Sequence, residues 1–304
     1  MNLRIPSRPL LIAAAASLAV SSVGAYIWHE EIRPAILEVY LFTLKGGQVV
    51  FIRTPEDKRI LINGGANSDV IREITDILPF YSRRIDIVIA TKDDADHVSG
   101  LVDVLSRYSV GEVYVPGITL NSLGLASTTD PAYQAFVSEL NKIKIHYKPI
   151  TAGNSISLSS KIAMSVLFPA TSSEFVYSKA SAPELLLHLR FGSASILFLG
   201  EATPKIQKYI ASTSADSIGE GGSHILVIDQ SLAPGNIAAQ LIEKIQPNFL
   251  IYSQAPPKGA SKAPKPKKKP MADPLIGISR ENKYNLQESK VLKVVSNGIS
   301  VRID

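Results

Sequence analysis

Leu37, Val39 and Leu41 alternate with polar or aromatic neighbours, and this period of two predicts a strand over 36–43. Strands are also predicted over 47–54 and 58–63, separated by the turn Pro55-Glu56-Asp57. The period then lengthens. Val70, Ile71, Ile74, Ile77 and Leu78 recur at helical spacing, with Ser68 placed to cap the helix. The apolar run Ile85 to Ala90 reads as a buried strand. A short polar stretch follows, then a helix over 98–108 carrying Leu101, Val102 and Leu105. A strand over 112–116 and a helix from Asp130-Pro131 to about Ile143 complete the first half.

The second half repeats the style without repeating the sequence. Strands are expected over 145–149, 155–158, 162–168, 185–191, 195–199, 224–228 and 249–253, and helices over 204–210 and 236–245. A hairpin, 291–295 with 299–303 around Ser296-Asn297-Gly298, closes the chain. Two rounds of strands with interspersed helices predict an α/β protein of four layers, two packed sheets with helices outside.

Two segments depart from this pattern. Arg4 and Arg8 precede an uncharged run, 9–28, followed by Glu30-Glu31. About 20 residues of helix cross a bilayer's hydrocarbon core. Tyr26 and Trp28 stand where an aromatic belt belongs, and the charge bias keeps the N-terminus inside. The organisation expected is a cytoplasmic N-terminus 1–8, a signal anchor 9–28, a juncture 29–35 and an extracytoplasmic domain 36–304. The alternative is a signal peptide cleaved near Ala25, after Val23-Gly24. The second segment, 256–274, holds Lys258, Lys262, Lys265, Lys267, Lys268 and Lys269 among prolines and reads as a flexible basic loop. Its lysines suit an anionic partner such as nucleic acid or another anionic polymer, although no aromatics interleave to stack on bases. A solvated insertion is the simpler alternative.

Composition limits the chemistry. With 45% hydrophobic residues and 19% charged, the chain supports a real core. The net charge of +5 is a weak pointer to anionic partners. The absence of cysteine excludes disulfides and thiolate metal sites, so any metal needs His, Asp or Glu. The main candidate is Thr91-Lys92-Asp93-Asp94-Ala95-Asp96-His97, at a strand's carboxyl end where open α/β folds place ligands. His29, His146, His188 and His224 stand singly in strand or juncture patterns and read as structural, with His188 an alternative recruit because Glu184 is close in sequence.

Taken in order, four motifs resemble the metallo-β-lactamase fold, in the form found at the C-terminus of ComEC-type DNA-internalisation competence proteins. They are the opening strand and hairpin ending Asn63-Gly64-Gly65, the loop Thr91 to His97 followed by Ser99-Gly100, the strand end Gly200-Glu201-Ala202, and the closing hairpin. The resemblance spans about 36–304. It implies a site at the sheet edges holding one or two divalent ions that activate water for hydrolysis. By that resemblance, Asp94, Asp96, His97 and Glu201 match metal-ligand positions. The loop's first histidine is Lys92, whose ammonium has no lone pair to ligate. The late histidine pair is absent from Asp229-Gln230-Ser231-Leu232.

Two readings stay open at the level of sequence. In one, Lys92 is an internal counter-ion to Asp93, Asp94, Asp96 and Glu201, no cofactor is held, and the domain is a catalytically degenerate binding or scaffolding module. In the other, Asp94, Asp96, His97 and Glu201 hold one divalent ion (Mn, Mg or Zn). Asp96 is then catalytic and Lys92 contacts a substrate phosphate, giving a phosphodiesterase of nuclease type.

Overall fold

The computed structural model describes residues 35–304 except 120–121, 125–129, 172–174, 179–182, 215–217, 219–222, 230–236, 254–277 and 290, together with Ser17 and Ser21. The chain divides into two units, Met1–Ala35 and Ile36–Asp304. In the first, Ser21 Oγ donates to Ser17 O at 2.8 Å. Among the described residues no helix is long and apolar enough to cross a membrane. Apart from Ser17 and Ser21, the run 9–28 lies outside the described residues, as do the juncture 29–34, the basic loop 256–274 with its six lysines, and Gln230-Ser231-Leu232.

The second unit opens with β1 (Leu37–Leu44), β2 (Gly47–Arg53) and β3 (Arg59–Ile62), then α1 (Asp69–Ile77), β4 (Arg84–Ile89), α2 (Ala95–Arg107), β5 (Ser109–Pro116), α3 (Pro131–Lys142) and β6 (Tyr147–Ile150). It continues with β7 (Ser155–Ser157), β8 (Ile162–Phe168), β9 (Leu186–Phe191), β10 (Ala194–Phe198), α4 (Pro204–Thr213), β11 (Ser223–Ile228), α5 (Ala239–Ile245), β12 (Phe249–Tyr252), β13 (Lys283–Asn285), β14 (Val291–Ser296) and β15 (Val301–Ile303). One sheet runs β15-β14-β1-β2-β3-β4-β5-β6, the other β13-β12-β11-β10-β9-β8-β7.

The alternation in β1 explains the layering. Phe42 packs outward with Phe51, Leu61 and Val88 beneath α1, α2 and α3, against Ile74, Val98, Leu101 and Phe136. Leu37 and Val39 point the other way and share a gap of about 10 Å³ with Leu189, Phe191, Ile196 and Ile225 of the second sheet. The outer face of that sheet carries Leu186, Leu197, Leu226 and Ile228 under Ile206, Ile210, Leu241 and Ile245 of α4 and α5. The result is helix, sheet, sheet, helix. Each buried Leu, Ile or Phe contributes roughly 1.5–3 kcal/mol by leaving water.

Local differences from the sequence reading have local causes. The helix after the polar stretch begins at Ala95, three residues before the expected Val98, because Asp94 caps it and accepts from His97 N. The motif therefore lies partly inside the first turn of α2. Ser68 stands at the head of α1 but makes no side-chain cap; Asn67 Oδ1 accepts from Asp69 N at 3.1 Å. Lys283–Asn285 pairs parallel to β12 although the segment is short and polar, with none of the alternation that marks a strand.

Candidate functional site

The site gathers at one end of the sandwich. β4 runs into Thr91, β3 into Asn63, the β1–β2 turn supplies Gly46 and Gly47, Glu184 precedes β9, and Gly200-Glu201 and Asp229 follow β10 and β11. Asn63 adopts a left-handed φ of 62°, which Asn tolerates better than most residues. This orientation lets Asn63 Oδ1 accept from Thr91 N at 2.9 Å and Thr91 Oγ1 at 3.0 Å, pinning the loop. Leu185 N donates to Thr91 O at 2.8 Å and ties the two sheets together beneath the site.

Lys92 is the hub. Its Nζ lies 2.6 Å from Glu201 Oε2 and 3.0 Å from Asp94 Oδ2. Asp94 Oδ1 meets His97 Nδ1 at 2.5 Å and also accepts from His97 N. On the far side of the imidazole, Nε2 lies 3.9 Å from Glu184 Oε1, too long for a hydrogen bond, and has no hydrogen-bond partner among the described residues. His97 and Glu184 are 2% and 5% exposed. Glu184 Oε2 accepts from Glu201 N at 2.9 Å. Gly200, at φ +53°, leaves no room for a side chain there, because an added Cβ would sit 2.2 Å from Glu184 Oε1.

The electrostatics follow from this packing. Burial works against a charged His97, but Asp94 and Glu184 outweigh it and raise the imidazole's pKa. Asp94 is driven far below the usual carboxylate range, its own burial being overcome by His97 and Lys92. Lys92 is raised despite burial by Asp94, Glu201 and Glu184. Burial pushes Glu184 up to about 7, only partly opposed by His97 and Lys92. Asp93 is raised by its burial.

The candidate residues are not all brought together. Lys92, Asp94, His97 and Glu201 form one network, to which the structure adds Glu184. Asp96 is exposed on the first turn of α2 and lies against Gly46; a Cβ on that glycine would be 2.7 Å from Asp96 Oδ1. The next glycine faces Asp229, whose Oδ2 accepts from Gln48 N at 3.3 Å. A Gly-Gly pair directly after a strand, here Gly46-Gly47, is the kind of sequence feature that permits such a close approach. His188 is buried on β9 in a different part of the second sheet, where burial, then Arg190 and His224, lower its pKa to about 4; His224 contacts Ser195 Oγ.

Comparison with solved structures places the architecture. A long-form RNase Z from yeast superposes over 88% of this chain and 49% of its own length, with a TM-score of 0.52 and 8% identity. A mutant of the CmlA beta-hydroxylase covers 71% of this chain and 45% of that one, with a TM-score of 0.46 and 15% identity. The Rm3 metallo-beta-lactamase covers 68% and 79%, with a TM-score of 0.40 and 14% identity. The fold is the metallo-β-lactamase fold. The chain spans about half the length of the RNase Z and less than half of the hydroxylase. No family model matches the sequence, and no curated protein matches it.

Metal chemistry is the usual occupation of a metallo-β-lactamase site, so the donors can be tested for fit. Both oxygens of Asp94 are engaged, one by the ammonium and one by the imidazole. Glu201 Oε2 is held by the same ammonium, and Glu184 Oε2 by a backbone N–H. Among the described residues no group of three His, Asp or Glu side chains converges to hold an ion. Charge agrees with geometry. The Lys92 ammonium already offsets Asp94 and Glu201, and burial pushes the Glu184 pKa up to about 7. A dication here would displace or oppose Lys92. In this arrangement the residues do not fit a divalent ion.

Proposed function

We propose that this chain is a membrane-anchored, extracytoplasmic protein of metallo-β-lactamase fold, similar to the hydrolase domain of ComEC-type competence proteins. On this reading its ancestral ion site has become an internal salt bridge. It acts as a binding or scaffolding module. The observation that carries this reading is the Lys92 ammonium seated between Asp94 and Glu201. An ammonium there compensates carboxylate charge without activating water, because it offers neither a Lewis-acidic centre nor an open coordination position. The uncharged run 9–28 after Arg4 and Arg8 supports the anchor, and Lys258 to Lys269 supply the contact to an anionic polymer such as nucleic acid.

A second reading has one observation in its favour. His97 Nε2 is buried and has no hydrogen-bond partner among the described residues. If Lys92 swings out, His97, Asp94, Glu184 and Glu201 are left as N and O donors for one hard ion in a phosphodiesterase. The test is cleavage of single-stranded DNA and a chromogenic phosphodiester by the full chain with Mn²⁺, Mg²⁺ or Zn²⁺. The module reading expects no turnover above buffer. Metal-dependent turnover abolished by Asp94→Asn would overturn it.

A further inference from the structure

The end of the sandwich opposite the site carries a surface that the salt-bridge network does not explain. Phe80 and Tyr81, in the loop between α1 and β4, are 89% and 76% exposed. They hold each other edge to face at 5.4 Å. Beside them lies a groove of about 190 Å³ lined by Arg83, Arg107, Thr75, Ser82 and Tyr108 together with Phe80. Arg83 has no acidic partner among the described residues, and the acid nearest Arg107 is Asp103 at 3.9 Å. Ile299, 81% exposed in the β14–β15 turn, stands at the same end of the same sheet, since Leu37 pairs with Ser296.

Strand directions locate this end of the sheet. β1, β3 and β4 run the same way, so the start of β1 lies at the end that carries Arg84, Phe80 and Tyr81. The Lys92 site lies at the other end of the strands. Aromatic side chains flanked by guanidiniums and hydroxyls are the chemistry that settles at an anionic bilayer surface.

We propose that the Phe80–Tyr81 edge, with Arg83 and Arg107, docks on the phosphate headgroups of anionic membrane lipid. The recognition chemistry is the surface's own and does not depend on the anchor reading. The chain has no cysteine, so one can be introduced without background. Full-length protein bearing Tyr81→Cys, labelled with an environment-sensitive fluorophore, is mixed with vesicles of phosphatidylcholine alone or with a third phosphatidylglycerol. A Lys45→Cys label at the site end is the control.

With anionic vesicles the Tyr81 label should shift to the blue and be quenched by headgroup-level quencher lipids, while the Lys45 label does neither. Arg83→Ala with Arg107→Ala should abolish the shift. A Tyr81 label that stays as solvent-exposed as the control overturns the proposal. So does a shift indifferent to the two arginines, or one reproduced by inorganic phosphate without vesicles. Alkaline carbonate extraction reports separately on the anchor. Release of the chain would sink the anchor reading, while the Tyr81 label would still decide the docking surface.

Discussion

Replacing Lys92 by Met removes the ammonium and leaves Asp94 and Glu201 facing each other beside Glu184. Breaking a buried pair by deleting one partner costs roughly 3–5 kcal/mol, and breaking an exposed one roughly 0–1. Side-chain exposures of 19% for Lys92, 31% for Asp94 and 36% for Glu201 place this cluster between those limits, with the Glu201 contact near the lower one. The expected loss is about 2 kcal/mol at pH 7. With unfolding entropy of about 2.1 cal/mol/K per residue over roughly 270 residues, Tm should fall by about 3–4 °C. The pH dependence has a definite sign. Lys92 is raised, so its contribution is present below the ordinary lysine pKa of 10.5 and lost only as pH rises through its higher folded value. Asp94 is depressed, so its contribution is present above the ordinary 3.8 and lost as pH falls through its lower folded value. The deficit of Lys92→Met should therefore grow as pH rises through about 7, where Glu184 loses a proton beside Lys92 in the wild type, and shrink below about pH 4 as the orphaned carboxylates protonate. Thermal melts followed by circular dichroism at pH 3.5, 7 and 9 check this. A variant as stable as wild type at pH 7 would refute the counter-ion role.

Three further outcomes follow from other parts of the structure. Glu184 is raised to about 7, so its neutral form stabilises the fold below about pH 4.5 and that contribution fades as pH rises through 7; Glu184→Gln, which cannot lose a proton, should flatten the stability profile in that window, read as urea midpoints at pH 5 and 8, and equal slopes would count against it. Gly100→Ala would bring a Cβ to 2.0 Å from Gly64 O, a backbone atom that cannot step aside, so the soluble yield should collapse or Tm should drop by well over 5 °C, a loss of at least about 3 kcal/mol. Phe136→Ala, which empties a fully buried position between α3 and the first sheet, should cost about 3–5 kcal/mol by chemical denaturation with the m-value unchanged.

Much of the fold is legible along the chain because its strands and helices carry clean periods, as in β1 with Leu37, Val39 and Leu41. The boundaries that moved did so through side-chain caps. Asp94 started α2 early, and a residue type that can cap, ligate or pair gives no local sign of which it does. The family resemblance, not any local pattern, put Lys92, Asp94, Asp96, His97 and Glu201 in one set. That Asp96 stands apart against Gly46 depends on where the β1–β2 turn lies, some fifty residues earlier in the chain. Glu184's burial was equally invisible, since it comes from Gly200 at φ +53° and from the tie between Leu185 N and Thr91 O. β13 was missed because its three residues owe their strand conformation to pairing with β12 rather than to any pattern of their own.

The central claim is that Lys92 takes the place of an ion. Equilibrium dialysis of the full-length protein against Zn²⁺, Mn²⁺ and Mg²⁺, with metal counted by mass spectrometry, tests it most directly when Lys92→His is run beside wild type. The account expects wild type to retain well under one ion per chain, and the variant, which exchanges the ammonium for a ligand, to retain more. One tightly held ion per wild-type chain, lost in Asp94→Asn, would contradict it.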